Sequence, residues 1–381
     1  MKPIDRVAAA FQGHKPDELP IHHLGFSSRV ASALLGREAY VGGGIQQWRE
    51  ATALWQGKDA HQEFVERSFQ DAIDVALLSD QDVVRVSYWR LNVKPTRQID
   101  EYTFLYEYGP EENWKVLKYD PETEESRYID YRPSAPLTFA DLEQQLAIAE
   151  EEVANYRPAE KDFDLEIRAQ KLLGAERVVR VGGASIMLPD DPIWLEAIAL
   201  RPDLVGRFFD IAAERAVRNI EFLAPLGFRY IFGGGDLAGN QGPFYSPRAF
   251  RELTLPRVRR MSDACHRHGC RYLFNSDGNT WPLADDLFGQ SGVDGYYEID
   301  RRAGMDLVKL RERFPHLTLV GNISSHTVYA GTKEQVVAET RACLEEAHQA
   351  GGVIVGASNY FVVGTPIENV QAVFDTIRRY R

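Results

Sequence analysis

The sequence predicts a single α/β domain of the (β/α)8, or TIM, barrel type, and two observations predict it. Short apolar segments rich in β-branched residues recur along the chain, and longer amphipathic segments separate them. Nearly continuous apolar strands that alternate with helices are typical of a parallel sheet covered on its outer face. The chain holds eight such segments, which favours closure into a barrel over an open sheet. We therefore expect one domain over residues 1–381.

The predicted strands and helices alternate in chain order. The eight predicted strands are Pro20–Leu24, Asp82–Ser87, Arg177–Gly182, Tyr230–Gly234, Arg271–Asn275, Gly295–Ile299, Leu317–Asn322 and Gly352–Ala357. The clearest helical patterns are Pro202–Leu223, Pro247–His268, Lys333–Ala350 and, at the end of the chain, Ile367–Tyr380. The assignment rests on the alternation between short apolar segments rich in β-branched residues and longer amphipathic segments.

One stretch, residues 88–135, interrupts the alternation. It contains three strand-like segments, EYTFLYEYG, WKVLKYD and SRYIDYR, with a turn at Asp120–Thr123. This pattern predicts a β-hairpin insertion after the second strand, followed by helices over Phe139–Asn155 and Glu160–Leu173. Segments that follow barrel strands lie on the active-site face. The insertion is therefore either a surface decoration or a lid or dimer contact.

The overall charge and the cysteine usage exclude some function classes. The net charge is −12, and both nucleic acids and anionic membranes bind clustered Lys and Arg instead. The amino-terminal segment lacks the apolar core of a signal peptide, and no stretch approaches the ~20 apolar residues of a membrane span. Cys265, Cys270 and Cys343 have no spacing typical of a disulfide framework. These features predict a cytoplasmic protein without a nucleic-acid or membrane partner.

Polar residues recur at the carboxyl ends of the predicted strands, where a barrel enzyme carries its active site. We assign catalytic roles to the three carboxylates among them: Asp236, Asp277 and Glu298. We assign substrate binding to His22, His23, Asn275, Asn322, Asn359 and Tyr360. Each residue alone could be a turn former or a helix cap. Their recurrence at one end of the barrel predicts that Asp236, Asp277, Glu298 and the three asparagines converge on one cavity.

Two further features bear on ligands. A metal with hard oxygen and nitrogen ligands could use the three carboxylates and the pair His22-His23, although we expect no bound metal. The run Gly233-Gly234-Gly235 lacks the spacing of a phosphate-binding loop or a dinucleotide fingerprint. We interpret it as room for a substrate to approach the backbone.

Several motifs resemble those of the uroporphyrinogen decarboxylase superfamily. The opening segment around Arg6–Ala10, with Gly13, Pro16-Asp17 and Pro20, is similar to the start of that superfamily. Its fourth-strand motif resembles Gly235–Gly239, followed by Gly242-Pro243, Ser246-Pro247, Phe250 and Pro256. Its closing motifs resemble Gly321–Ile323, Gly331-Thr332 and Thr365–Asn369. The match covers the amino terminus and roughly residues 230–381.

The decarboxylases of this superfamily remove carboxyl groups from a tetrapyrrole without a cofactor, and this chain departs from their pattern. Their arginine-rich signature after the first strand is missing from residues 20–26, and their catalytic aspartate falls near Tyr88-Trp89. Their serine after the fourth strand corresponds to Asp236, and their last histidine to Asn359. A substrate with many carboxylates needs fixed guanidinium partners. Arg29, Arg90 and Arg180 are the candidates for this role if the chain is a decarboxylase.

A second branch of the superfamily transfers methyl groups between corrinoid proteins and an acceptor. Members that use a thiol hold zinc with a His-x-Cys after the fifth strand and a Cys after the eighth. The matching positions here are Asn275–Asp277, and Ser358 or Asn359. The resemblance therefore implies no zinc site of the thiolate kind.

The resemblance implies a zinc-independent enzyme of the methyltransferase type, which acts on a small methylated compound or a methyl carrier. No tightly bound cofactor is expected, and a corrinoid protein or a folate-type carrier could serve as co-substrate. A homodimer is a further expectation. The alternatives are a tetrapyrrole carboxy-lyase and a non-catalytic binding protein on the same barrel.

Overall fold

The computed structural model describes residues 1–108, 113–132 and 136–381 of the chain. Within them, the α-helices are α1 (Pro3–Phe11), α2 (Ser28–Leu35), α3 (Gly44–Gln56), α4 (Lys58–Leu78), α5 (Phe139–Asn155), α6 (Asp164–Leu173), α7 (Ile193–Leu200), α8 (Pro202–Leu223), α9 (Pro247–Ala249), α10 (Leu255–Arg267), α11 (Ala284–Leu287), α12 (Leu307–Arg313), α13 (Ser325–Ala330), α14 (Lys333–Ala350) and α15 (Ile367–Tyr380). Short 3₁₀ helices cover Glu160–Asp162, Ala224–Leu226, Trp281–Leu283 and Arg301–Ala303, and Phe250–Thr254 is a π-helical turn.

The β-strands of the described residues fall into parallel and antiparallel groups. They are β1 (Val83–Val84), β2 (Arg97–Asp100), β3 (Thr103–Tyr108), β4 (Asn113–Asp120), β5 (Glu125–Arg132), β6 (Val178–Val179), β7 (Val181–Ser185), β8 (Tyr230–Gly234), β9 (Ala238–Gly239), β10 (Gly242–Pro243), β11 (Arg271–Asn275), β12 (Gly295–Tyr297), β13 (Thr318–Val320) and β14 (Val353–Ile354). Six of them form a parallel sheet in the order β14-β13-β12-β11-β8-β7, and β1 pairs with β6 in a second parallel sheet. The predicted α/β class with a parallel sheet is confirmed.

The segment around Ile21 pairs with backbone on both of its sides, next to β14 and next to β1. Ile21 forms a parallel bridge with Val355, which follows β14. Its carbonyl oxygen accepts hydrogen bonds from the backbone N–H groups of Asp82 and Val83, at 2.9 and 3.3 Å. The first predicted strand, Pro20–Leu24, is thus present as a single bridged residue between β14 and β1 rather than as an extended strand.

Capping and amphipathic patterns explain why the helices begin where the sequence predicts. Thr332 and Gln335 form a capping box at the start of α14, and Thr138 and Asp141 form one at the start of α5. Helix α8 begins with Pro202, whose fixed φ suits the first helical position. The predicted helix Pro247–His268 is interrupted, because the π-helical turn Phe250–Thr254 separates α9 from α10.

Strands β2 to β5 form a four-stranded antiparallel sheet in sequence order. Three of them, β3, β4 and β5, coincide with the strand-like segments of the sequence, whereas β2 was not predicted because its sequence, RQID, is polar. Two predicted boundaries lie outside the described residues. They are the end of the segment EYTFLYEYG at Gly109 and the end of the predicted insertion at Ala135.

The turn between β4 and β5 is anchored to the helical part of the chain. Glu124 accepts a hydrogen bond from the Ser28 backbone N–H at 2.9 Å, and its own carbonyl accepts one from Ile45 at 3.1 Å. Ser126 donates to the Gly44 carbonyl at 2.8 Å. The burial of Glu124 raises the pKa of its carboxyl, against the lowering effect of the Ser28 hydrogen bond. This turn is therefore fixed against α2 and α3.

A connected set of buried apolar side chains lies between the parallel strands and the surrounding helices. A second, smaller cluster of buried apolar side chains is formed mostly by the parallel strands themselves. It includes Val83, Val178, Phe232, Leu273 and Tyr297. Across the part of the chain that the structure describes, every helix is too short or too polar to cross a membrane.

We predict that Gly44→Ala weakens the docking of the β4–β5 turn. A Cβ at this position would lie 2.1 Å from the Ser126 backbone nitrogen, so the backbones would have to separate. We expect the free energy of unfolding in urea to fall by about 1–3 kcal/mol. Gly239→Ala is the control, since its Cβ would meet nothing closer than a Phe244 ring carbon at 3.6 Å. Equal stability of the two variants would contradict the docking.

Candidate active site

A cavity of about 600 Å³ opens at the carboxyl ends of the parallel strands. Six of the residues that the sequence assigns to the site line it: Asp236, Asp277, Glu298, Asn275, Asn359 and Tyr360. Glu124 and Glu125 from the anchored β4–β5 turn line it too. A smaller, mostly apolar side pocket of about 280 Å³ shares Met187 and Asp236 with it.

The register of two neighbouring strands places a carboxyl against a carboxamide. Asn275 at the end of β11 pairs with Tyr297 at the end of β12, and Glu298 follows directly. The Asn275 Nδ2 donates a hydrogen bond to Glu298 Oε2 at 2.8 Å. This bond fixes the direction in which the Glu298 carboxyl points into the cavity.

Glu298 also has an unusual backbone conformation. Its φ is +68°, in the left-handed region that a residue with a Cβ rarely adopts. Such a conformation costs on the order of 1–3 kcal/mol and is concentrated at functional sites. Burial raises the pKa of its carboxyl to about 7, an effect that Asp277 and Asp236 increase and that Asn275 and Arg180 oppose.

Asp277 and Asp236 complete the acidic side of the cavity. Burial raises the pKa of Asp277, with further increases from Asp236 and Asp300, while a hydrogen bond from Asn359 Nδ2 at 3.4 Å opposes them. Partial burial and then Asp190 raise the pKa of Asp236, whose side chain lies on the exposed rim. Because these carboxyls repel one another's charge, they titrate as a group.

Two arginines form the opposite, positive side of the cavity. The Arg180 guanidinium lies over the rings of Phe232 and Tyr297, at 5.2 and 5.0 Å from their centroids. The Arg85 guanidinium lies over Tyr88 at 4.8 Å, and its Nη1 donates to the Leu24 carbonyl at 3.2 Å. The site therefore combines carboxyl groups with guanidinium groups, whereas the catalytic roles assigned from the sequence fall on carboxyl groups alone.

His22 does not line the cavity, contrary to its assignment from the sequence, but it contacts a residue that does. It is buried, and desolvation followed by the charge of Arg180 lowers its pKa well below the usual value, so it is neutral. Its Nδ1 lies 3.0 Å from the Val83 carbonyl, to which it donates, so Nε2 is left to accept from Arg180 Nη1 at 3.4 Å. His22 therefore positions Arg180.

His23 and Asn322 are also placed away from the cavity. His23 packs against the rings of Phe361 and Phe374, and burial lowers its pKa to about 3. Asn322 is fully buried beside Arg301 and donates to the Met305 carbonyl at 3.4 Å. Both follow predicted strands, but their side chains point outward into the layer between strands and helices.

Within the described ranges, no group of three or more His, Cys, Asp and Glu side chains is arranged to hold a metal ion. The pair His22-His23 therefore does not join the three carboxylates as a ligand set. Cys265, Cys270 and Cys343 are free and buried, and Cys265 and Cys343 lie on the outer helices α10 and α14.

The glycines at the end of β8 serve the packing of strands, and Gly234 and Gly235 also line the cavity, where substrate room at their backbone stays a prediction. A Cβ on Gly233 would lie 1.9 Å from the Ala184 carbonyl oxygen, and one on Gly234 would lie 2.4 Å from the Asn275 nitrogen. A Cβ on Gly235 would lie 2.2 Å from the Ile186 carbonyl oxygen. The space that the missing side chains leave is occupied by neighbouring backbone.

Sequence reasoning missed Arg85, although a signal for it exists. The segments Val83-Val84-Arg85-Val86 and Val178-Val179-Arg180-Val181 are the same four residues, VVRV, on two paired strands. A cation inside an apolar strand is rarely placed there for packing. Of the three candidate arginines, Arg180 lines the cavity, whereas Arg29 and Arg90 pair with Glu124 and Glu50 instead.

Comparisons with known proteins find similarity to one family over part of the chain. The model for the family "Uroporphyrinogen decarboxylase (URO-D)" matches residues 193–380. Uroporphyrinogen decarboxylases of Anaeromyxobacter dehalogenans and of a second Anaeromyxobacter strain are each 30% identical over 129 residues. The matched region covers 34% of this chain and 36% of each relative, so it spans about a third of the length of these proteins.

A solved structure of a methyltransferase from Methanosarcina mazei superposes on the whole chain. The alignment covers 100% of this chain and 99% of that one, with a TM-score of 0.60 and 18% sequence identity. At this identity the likeness establishes a shared fold, and the chemistry is argued from the cavity itself.

We predict that Glu298 makes stability depend on pH. An unfolded glutamate has a pKa of about 4.3, and Glu298 in the fold has one of about 7. Between these values the folded protein keeps a proton that the unfolded chain releases, so the free energy of unfolding falls as pH rises. The loss should total about 3–4 kcal/mol and level off above pH ~7.

The measurement is urea unfolding of the wild type and of Glu298→Gln from pH 4 to pH 8. The substitution retains an oxygen that can accept from Asn275 and removes the titration. The difference between the two proteins isolates Glu298 from the other carboxyls. A difference that does not change with pH would show that Glu298 titrates normally.

Proposed function

We propose that the protein, whose resemblance to the uroporphyrinogen decarboxylase superfamily is confirmed, is a zinc-independent enzyme of the methyltransferase type that acts on a small methylated compound. The observation that carries this proposal is the half-buried Glu298 carboxyl, held by Asn275 in an open cavity that Asp277 also lines. This group can supply a proton at neutral pH, as transfer of a methyl group away from a heteroatom requires.

In this mechanism Glu298 is the general acid. The bond between the methyl carbon and the heteroatom of the donor breaks as a bond from the methyl carbon to the acceptor forms. The heteroatom keeps the electron pair of the broken bond and takes the proton of Glu298. A pKa of about 7 leaves a large fraction of this carboxyl protonated at neutral pH.

Asp277 and Asp236 act on the same step by charge and by hydrogen bonding. Ionised, they raise the pKa of Glu298 and so keep its proton in place until transfer. Asn359 orients Asp277 through the hydrogen bond at 3.4 Å, and its own Oδ1 is fixed by the Tyr360 backbone N–H at 2.7 Å. The acceptor of the methyl group is a co-substrate, for which a corrinoid protein or a folate-type carrier is our proposal.

Decarboxylation of an anionic substrate is the second candidate, and Arg85 and Arg180 favour it. A carboxylate substrate needs cationic partners, which both residues provide inside the cavity. Glu298 could then protonate the carbon from which CO₂ departs. The first reaction yields a methylated acceptor and the second yields CO₂, so product analysis separates them.

We also infer that the two parallel sheets join into one closed eight-stranded barrel. Ile21 bridges the segment after β14 to the start of β1, and β6 continues into β7 at Val181. The antiparallel sheet is then an insertion after the second strand of the barrel. Its β4–β5 turn supplies Glu124 and Glu125 to the cavity wall, which supports a role as a lid.

We predict that Asp277→Asn and Glu298→Gln each lower kcat by roughly 10²-fold or more, and that Asp277→Asn does so with little change in melting temperature. In the wild type, the rate should fall as pH rises through about 7, because the general acid loses its proton. Glu298→Gln should lose this dependence. The measurement is the rate of methyl transfer to cob(I)alamin or tetrahydrofolate from a panel of O-, N- and S-methyl compounds.

The matched control is Asp294→Asn. Asp294 immediately precedes β12, at the opposite end of the strand from Glu298, where it accepts from Arg271 Nη1 at 2.7 Å. This variant should lose stability and keep its turnover. Wild-type rates in Asp277→Asn and Glu298→Gln would remove both residues from the mechanism, and CO₂ release without methyl transfer would favour the decarboxylase.

A further inference from the structure

Arg85 and Arg180 occupy equivalent positions on two adjacent parallel strands. Val83 pairs with Val178 and Val84 with Val179, and the Arg180 N–H donates to the Val84 carbonyl at 2.8 Å. Adjacent strands lie about 4.8 Å apart. Both side chains face the same cavity. The repeat VVRV thus brings two guanidinium groups to one part of its wall.

Neither guanidinium forms an ion pair with a carboxylate of the described residues. Arg85 donates from Nε to the Ser87 carbonyl at 2.9 Å and from Nη1 to the Leu24 carbonyl at 3.2 Å. Its Nη2 has no hydrogen-bond partner within that part of the chain. Arg180 makes two long contacts, to neutral His22 at 3.4 Å and to the Tyr297 hydroxyl at 3.5 Å.

Several arginines elsewhere in the described residues pair with a carboxylate, whereas others, such as Arg311, donate to backbone carbonyls at the protein surface. Arg90 donates from Nε to Glu50 at 2.8 Å, and Arg6 donates to Asp17 at 2.8 Å. A cation removed from water without a counter-ion is costly, so proteins pair or ligate such groups. Two unpaired guanidiniums on the wall of an open cavity therefore indicate that the counter-ion comes from a ligand.

We propose that Arg85 and Arg180 form an oxyanion subsite, which binds a carboxylate or phosphate group of the substrate in the cavity. Guanidinium groups present N–H donors in a fixed planar fork that matches both kinds of oxyanion. His22 positions Arg180 for this contact through its neutral Nε2. The inference rests on the proposed function, because the subsite lies in the same cavity as Glu298. It adds the class of substrate that this cavity accepts, which is a compound with a carboxylate or phosphate group.

Charge supports the assignment of the two sides of the cavity. The charge of Glu298 acts on both arginines, and burial keeps much of this carboxyl uncharged at neutral pH. Asp236 lies on the exposed rim of the cavity, and Asp277 is half-buried. An anionic group is therefore attracted to the arginine side and repelled from the rim. This orientation leaves the reacting end of the substrate beside Glu298.

The experiment measures anion binding directly, by thermal stabilisation and calorimetric titration at constant ionic strength. The probes are succinate, its uncharged analogue succinamide, and inorganic phosphate. Succinate or phosphate should stabilise the wild type, and succinamide should not. Arg180→Gln and Arg85→Gln should each weaken anion binding by roughly 10-fold or more, because each removes a charged hydrogen-bond donor. The tighter of the two anions identifies the class of the substrate group.

Arg248→Gln is the matched control, because Arg248 is exposed on α9 and pairs with Glu252 far along the chain from the cavity strands. It should bind anions like the wild type. Arg180→Lys keeps the charge without the planar fork, and it replaces Arg180→Gln if that variant does not fold. Equal anion binding in the wild type and in the Arg85 and Arg180 variants, or no binding of either anion, would overturn the subsite.

Glu298→Gln separates this inference from the proposed reaction. It should retain anion binding, because it removes no cation, while it loses turnover. Anion binding without methyl transfer from any donor would leave the subsite intact and reject the proposed reaction. Loss of anion binding in Glu298→Gln would show that the carboxyl, and not the arginine pair, organises the site, and would overturn the subsite.

Discussion

The absence of side chains at Gly233, Gly234 and Gly235 is the constraint on which the site depends. A Cβ at any of these positions would meet backbone atoms of the neighbouring segments at 1.9–2.4 Å. Strand β8 can therefore lie against β7 and β11 only if this run is glycine. The distance between β8 and β11 in turn sets the position of Asn275 at the end of β11. Asn275 then holds the Glu298 carboxyl through its hydrogen bond. A side chain in this run would displace the carboxyl group that is central to the proposed reaction.

The carboxyl groups of the cavity could be predicted from the sequence, whereas of its two arginines only Arg180 was a candidate. Asp277 and Glu298 follow strands of clear pattern, so their position at the carboxyl ends was predictable. Arg85 lies beyond the two residues of β1, and which face its side chain takes depends on the register with Val178 and Val179. That register is set by long-range pairing, which a local pattern does not contain. The repeat VVRV was visible, but its meaning required the two strands to be neighbours.

His22, His23 and Asn322 show a different limit of the sequence. Each lies next to an apolar segment, where successive side chains point alternately to opposite sides. A shift of one residue moves a side chain from the cavity to the layer under the helices. The structure gives His22 and His23 hydrogen bonds and aromatic neighbours instead of a ligand. The fold class was predictable because it depends on many segments, whereas the role of one side chain depends on a single alternation.

Guanidinium and carboxyl groups line the same cavity, so its charges of opposite sign are separated in space. The field between them runs from Arg85 and Arg180 toward Asp277 and Asp236, in a cavity whose wall includes Tyr297. A ligand that carries a positive and a negative end could enter the cavity in two opposite orientations. One of these orientations would have a much lower electrostatic energy than the other. Selection of orientation would thus precede any specific contact, and it would weaken as added salt screens the field at the open mouth.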